Sequence, residues 1–362
     1  MQRELLTSVE ELISVEFFSA LEGRAIAEVR VTPFDSVDSV SGSRLLRVEV
    51  NGGQGLRYVL KRISPEWDWI MRATDDHQAR AVVSWQTGLL DRLPSNVVHG
   101  VIACARDGNG WAILMRDVGA ALIPSGDDVI SVSDNECFLA TMAAIHASFW
   151  NQPEVVDPAL GFCGLRYRYA ELSPETGRRE AERGRSATIP RLLLEGWGLL
   201  ETVVDAAVAQ VIGHLLEDPQ PLCAALLRFP RTVVHGNLKL GNLGLFREER
   251  PRVVILDWEV VGPAPPAVDL AWYLAVNSAR LPVTKEDAIF FYQRSLAERL
   301  GARFDRSWWE PQLELALLGA FLQLSWEKAL GAAKGPTEAV RAREWAELAW
   351  WSERVRVGAK HL

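Results

Sequence analysis

The chain has 362 residues, 48% of them hydrophobic and 24% charged, enough apolar material for two domains or one large two-lobed unit. Its net charge of −8 leaves no basic excess to neutralise phosphates, which argues against a nucleic-acid partner. The four cysteines, Cys104, Cys137, Cys163 and Cys223, lie far apart with no Cys-x-x-Cys pair, so a structural zinc site is not expected and a reducing, cytoplasmic setting is.

The N-terminus shows no basic segment followed by an apolar run. Instead, Ser8 and Glu11 have the spacing of a capping box for a helix over 9–21. A loosely alternating segment, 25–31, suits a strand. Two better strands follow at 44–50 and 57–63, joined by Asn51-Gly52-Gly53-Gln54-Gly55, which spells a hairpin. Ser64-Pro65 has the pattern of an N-cap and a first-turn proline. A helix is expected over 75–93, where Ala79, Val82, Val83, Leu89, Leu90 and Leu93 keep helical spacing despite Gly88. Strands are expected at 97–105 and 110–115. Beyond Asp117-Val118-Gly119 helical patterns dominate, at 134–150, 191–216, 285–300, 308–330 and 337–355, interrupted by one β-like island at 232–256. The longest apolar stretch, 313–324, is broken by Glu314 and Gln323 and is too short to span a bilayer, so no membrane association is expected. A β-rich part over 1–117 and a mainly helical part over 118–362 make an α+β architecture. The sequence does not specify an oligomeric state.

The island carries the chemistry. It reads Val233-Val234-His235-Gly236-Asn237-Leu238-Lys239-Leu240-Gly241-Asn242, then Val253-Val254-Ile255-Leu256-Asp257-Trp258-Glu259, and later Pro266-Ala267-Val268-Asp269. Each polar group follows a short apolar strand and so emerges at a strand end. Asp257 comes fifteen residues after Asn242, and Asp269 twelve after that.

This order resembles the aminoglycoside phosphotransferase and choline kinase group, relatives of the protein kinases, whose loop reads His-Gly-Asp-x-x-x-x-Asn and is followed by a strand ending in Asp-Trp-Glu. The resemblance implies a bilobed protein-kinase-like fold with a β-rich nucleotide-binding lobe and a helical catalytic and substrate-binding lobe. It implies ATP and Mg²⁺ as cofactors and a hydroxyl of a small molecule as acceptor. Asn242 and Asp257 would hold Mg²⁺, which takes hard oxygen ligands from one or two protein groups plus water and phosphate. Glu259 would support a second metal or a bound water. Asp269 would anchor the loop backbone, and His235 would brace it from within. Lys61, on the third strand, would grip the nucleotide phosphates. The turn Ser41-Gly42-Ser43, within the stretch 35–43, would cover them with backbone N–H groups. Met115 and Asp117 would form the hinge against the adenine edge. His146, in a helix that also resembles the family, is expected to be a packed helix histidine.

Two positions depart from the pattern. Asn237 stands where the family places its general base, and a carboxamide has no useful basicity near neutral pH, although it still orients a hydroxyl. A general base contributes ~10²–10⁴ in rate, so the departure implies a slow enzyme or a catalytically inactive nucleotide- or ligand-binding regulator. The helix glutamate that should pair with Lys61 aligns with Ala81, leaving Glu66, Asp68, Asp75 or Asp76 to replace it.

Overall fold

The computed structural model describes residues 3–34, 40–53, 57–184 and 187–362. Residues 35–39 of the expected phosphate-covering stretch, and Gln54 and Gly55 of the hairpin turn, lie outside the described residues. The chain forms two compact units. The first comprises Met1–Gly126 with Leu240–Glu259, and the second Asp127–Lys239 with Val260–Leu362. The island is thus shared between them.

The strands, in chain order, are β1 (Val29–Pro33), β2 (Arg44–Val50), β3 (Arg57–Ile63), β4 (Val97–Val98), β5 (Val101–Asp107), β6 (Gly110–Arg116), β7 (Thr232–Val234), β8 (Leu243–Phe246), β9 (Arg252–Ile255) and β10 (Gly262–Ala264). In the first unit an antiparallel sheet runs β1-β2-β3-β6-β5, and a second sheet runs β4-β9-β8. The hairpin of β2 and β3 has the expected bounds, with Leu45 opposite Lys61. The adjacent β6 sets Ile113 opposite Lys61, so the lysine lies mid-strand and only 8% exposed.

Helix ends in this unit are decided by side chains that compete for backbone groups. Ser8 caps Val9–Leu12, and Ser14 then caps a new helix, Val15–Glu22, so the expected 9–21 helix is two helices. Glu11 reaches back to the N–H of Thr7 rather than that of Ser8. Ser64-Pro65 opens a turn instead of a helix. The helix Trp69–Ala73 starts four residues later, capped by Asp68, whose carboxylate accepts from the N–H groups of Ile70 (2.9 Å) and Met71 (3.2 Å). The expected 75–93 helix shrinks to Arg80–Gln86 and a short turn at Leu90–Arg92. Asp75, Ala79 and Gly88 all have positive φ, which no α-helix tolerates.

In the second unit β7 pairs with β10 and the rest is helical. The 29-residue helix Arg306–Lys334 packs against Glu338–Gly358, Ala267–Val276 and Thr188–Trp197. Its Leu317, Leu318, Phe321 and Leu322 are at most 2% exposed, each contributing ~1.5–3 kcal/mol by burial. Gly196 lets the neighbouring helix approach: an added Cβ would overlap the Trp326 carbonyl. The expected 191–216 helix divides into Thr188–Trp197, Leu200–Val203 and Ala206–Glu217, the last capped by Asp205. Among the described residues no helix is long and apolar enough to cross a membrane.

Candidate active site

In the second unit β7 delivers His235-Gly236-Asn237 at its C-terminal end. The loop has no regular ladder, so its backbone groups need other partners. Asp269, in the first turn of the helix Ala267–Val276, takes two: its carboxylate accepts from the N–H of His235 (2.6 Å) and of Gly236 (2.7 Å). Burial opposes the charge on Asp269, but the His146 hydrogen bond and the nearby charges of His146, Arg168 and His235 hold its carboxyl below the ordinary range. His146 lies 3.3 Å from the same carboxylate, and its other ring nitrogen is bonded to Tyr292. The packed histidine is therefore one link of a buried chain, Tyr292–His146–Asp269–loop. His235 Nδ1 accepts from the N–H of Asn237 at 3.1 Å.

The loop carbonyls are held from the other side. Arg168, in the helix Leu165–Glu171 and 1% exposed, donates to the carbonyl of Gly236 (3.0 Å) and to that of Val260 (2.7 Å). Gly236 has φ +85° and no room for a Cβ, which would overlap the guanidinium. Nothing in the sequence marks Arg168 or Tyr292, because neither has a fixed spacing to the motif.

In the first unit the β8–β9 ribbon sets the other polar groups. Its last ladder pair is Leu243 with Ile255, and one step beyond, Leu256 donates to the carbonyl of Asn242 at 2.9 Å. Asn242 and Asp257 thus leave the same end of the ribbon, and Asp257 turns out of the strand with φ +74°. Lys61, from β3, forms ion pairs with both Asp257 and Glu259. Burial alone would lower the Lys61 ammonium, but the charges of Asp257 and Glu259 outweigh it and hold it above its usual value. Glu259 is pushed well above the ordinary carboxyl range by burial and by the charge of Asp257. Asp68 is pushed up to about 6 by burial, against the pull of Lys61.

A model of the phosphotransferase enzyme family, APH, matches residues 39–311, well over half of the sequence. The chain belongs to the phosphotransferase enzyme family. Among solved structures, the choline kinase LicA from Streptococcus pneumoniae is similar with a TM-score of 0.51 at 14% identity, over 95% of this chain and 98% of that one. An ethanolamine kinase from Plasmodium vivax is similar with a TM-score of 0.53 at 10% identity, over 92% and 84%. Identities this low establish a kinase-like fold and no more. No curated protein matches the sequence. Family and fold together make the chain a phosphotransferase of kinase-like fold.

For a phosphotransferase the residues present fit a hard divalent cation. The donors are oxygens, an amide at Asn242 and a carboxylate at Asp257, and the carboxyl groups of Asp257, Glu259 and Asp68 outnumber the single ammonium of Lys61 around which they act. Among the described residues no group of three or more His, Cys, Asp or Glu converges as a metal cluster. The turn Ser41-Gly42-Ser43 is tied down: Ser41 Oγ accepts from the N–H of Ser43 (3.2 Å), and Trp69 donates to the Ser41 carbonyl (2.9 Å). Gly42 has φ +98°, and a Cβ there would overlap the Trp67 carbonyl. Met115 lines a pocket in this unit together with Lys61, Ala81, His99, Asp257 and Glu259. Asp117 follows β6, its N–H bonded to the Arg57 carbonyl (2.9 Å) and its carboxylate accepting from Gly119 (2.9 Å). The first unit therefore brings together Lys61, Met115, Asp257 and Glu259, with Asn242 beside Leu256. The second brings together His235, Asn237 and Asp269.

Proposed function

We propose that the protein transfers the γ-phosphoryl group of ATP, with Mg²⁺, to a hydroxyl of a small molecule. The observation that carries the reading is the ion pair between Lys61 and Asp257, residues 196 apart in sequence, at the ribbon end that also presents Asn242. Residues 1–117 with the ribbon would bind nucleotide, and the helical remainder of 118–362 would supply the acceptor pocket. Lys61 would engage the phosphates, under the turn Ser41–Ser43. Met115 and Asp117 would meet the adenine edge. Asn242 and Asp257 would hold Mg²⁺, which when bound neutralises charge on the transferring group. Asn237 would orient the acceptor hydroxyl without taking its proton. Positioning and charge neutralisation supply most of the catalysis in a loose phosphoryl-transfer transition state, so turnover survives but is slow. The wide spacing of the four cysteines in the sequence accords with a reducing, cytoplasmic setting.

Titration calorimetry with ATP, with and without Mg²⁺, tests the nucleotide reading, and binding that Mg²⁺ strengthens is the expected result. Asn237→Asp restores a base and should raise ATP turnover with an accepting alcohol by ~10²–10⁴. Binding with no gain from Asn237→Asp would instead favour a nucleotide-binding regulator without turnover. No binding in either buffer would remove the kinase reading.

A further inference from the structure

We infer that Glu259, and not a carboxylate on a helix, is the group that braces Lys61 for the nucleotide phosphates; this assignment deepens the reading above and rests on it. A kinase lysine works only when an acid fixes it in place. A buried ammonium without a partner would be costly in any event. The acids that follow β3 in sequence are committed elsewhere. Glu66 accepts from the Asn109 side chain at 3.1 Å. Asp75 pairs with His77 at 2.7 Å. Asp76 accepts from the N–H of Arg80 at 3.0 Å. Asp68 spends one oxygen on capping the helix Trp69–Ala73 and, although it feels the charge of Lys61, makes no ion pair with it. The helix Arg80–Gln86 presents only Ala81 to the pocket that Lys61 and Glu259 share.

The two carboxylates that do reach Lys61 differ in exposure. The Asp257 side chain is 24% exposed and that of Glu259 only 6%. Asp257 is the one open to exchange its lysine contact for a metal. Glu259 sits on the one-turn helix Trp258–Val260 and faces the ammonium inside the pocket. The brace has in effect moved from a helix to the residue two places beyond the metal-binding aspartate, and Ala81 is the space it vacated.

The test uses the full-length protein. ATP is titrated into wild type, Glu259→Gln and the double variant Ala81→Glu/Glu259→Gln, each in EDTA and in excess Mg²⁺. A brace acts on the lysine whether or not metal is present, so Glu259→Gln should weaken ATP about tenfold by a similar factor in both buffers. The double variant should recover most of that loss. Weakening confined to the Mg²⁺ buffer would make Glu259 a metal ligand and overturn the assignment, as would unchanged affinity in both. A measurement without nucleotide separates this assignment from the functional reading. Competitive acetylation followed by mass spectrometry should show Lys61 several-fold more reactive in Glu259→Gln than in wild type. Equal reactivity overturns the brace even where wild type binds ATP, and raised reactivity sustains it even where wild type binds none.

Discussion

Asp269→Asn should release the His235-Gly236-Asn237 loop. The native carboxylate accepts two backbone N–H groups, at 2.6 and 2.7 Å, inside a site where it is 1% exposed. An asparagine keeps one acceptor and turns the other arm into a donor facing a donor. One hydrogen bond to a charged group is lost, worth ~1.5–3 kcal/mol, and one buried amide is left unsatisfied at ~1–3 kcal/mol. The combined cost is about 3 kcal/mol or more, and at 1.4 kcal/mol per decade the loop opens about 100-fold more often. Hydrogen exchange of a peptide spanning 232–239 reads this directly. The pH dependence supplies a second signature. The native carboxyl is held below its usual value of 3.8, so its contribution is complete above that pH and fades as the pH falls through the lower native value. Wild type should therefore lose loop protection in acid, and Asp269→Asn should lack that loss. Exchange at 232–239 within about threefold of wild type at neutral pH would refute the reasoning.

Arg168→Met should cost about 3 kcal/mol in urea unfolding, because two buried carbonyls, Gly236 and Val260, lose charged donors while the carbonyls themselves remain. Arg168→Lys, which keeps a charge but not the fork, should fall between the two. In the first unit, Asp68 has its native pKa raised to about 6 from 3.8, so the folded state binds more protons between about pH 4 and 6 and stability falls as pH rises through that window. Asp68→Asn, which still caps the helix, should flatten this slope in thermal unfolding scans, and an unchanged slope would assign it to another group.

Much of this molecule is local and therefore legible in the sequence. The β2–β3 hairpin follows from alternation around a glycine-rich turn, and the helix Lys285–Leu300 from its helical pattern. The order His235, Asn237, Asn242, Asp257, Asp269 carries the resemblance to the family, and with it the proposed site and the position of Asn237 in it. Helix ends were less legible, since Ser14, Asp68 and Asp205 cap new helices where apolar spacing alone runs on. What only the tertiary structure decided is which distant groups meet. Lys61 takes its charges from Asp257 and Glu259, nearly two hundred residues away, and Arg168 closes on Gly236 from a helix with no motif of its own. Periodicity encodes which face of an element is buried, but the partner of a buried charge depends on where the rest of the chain returns.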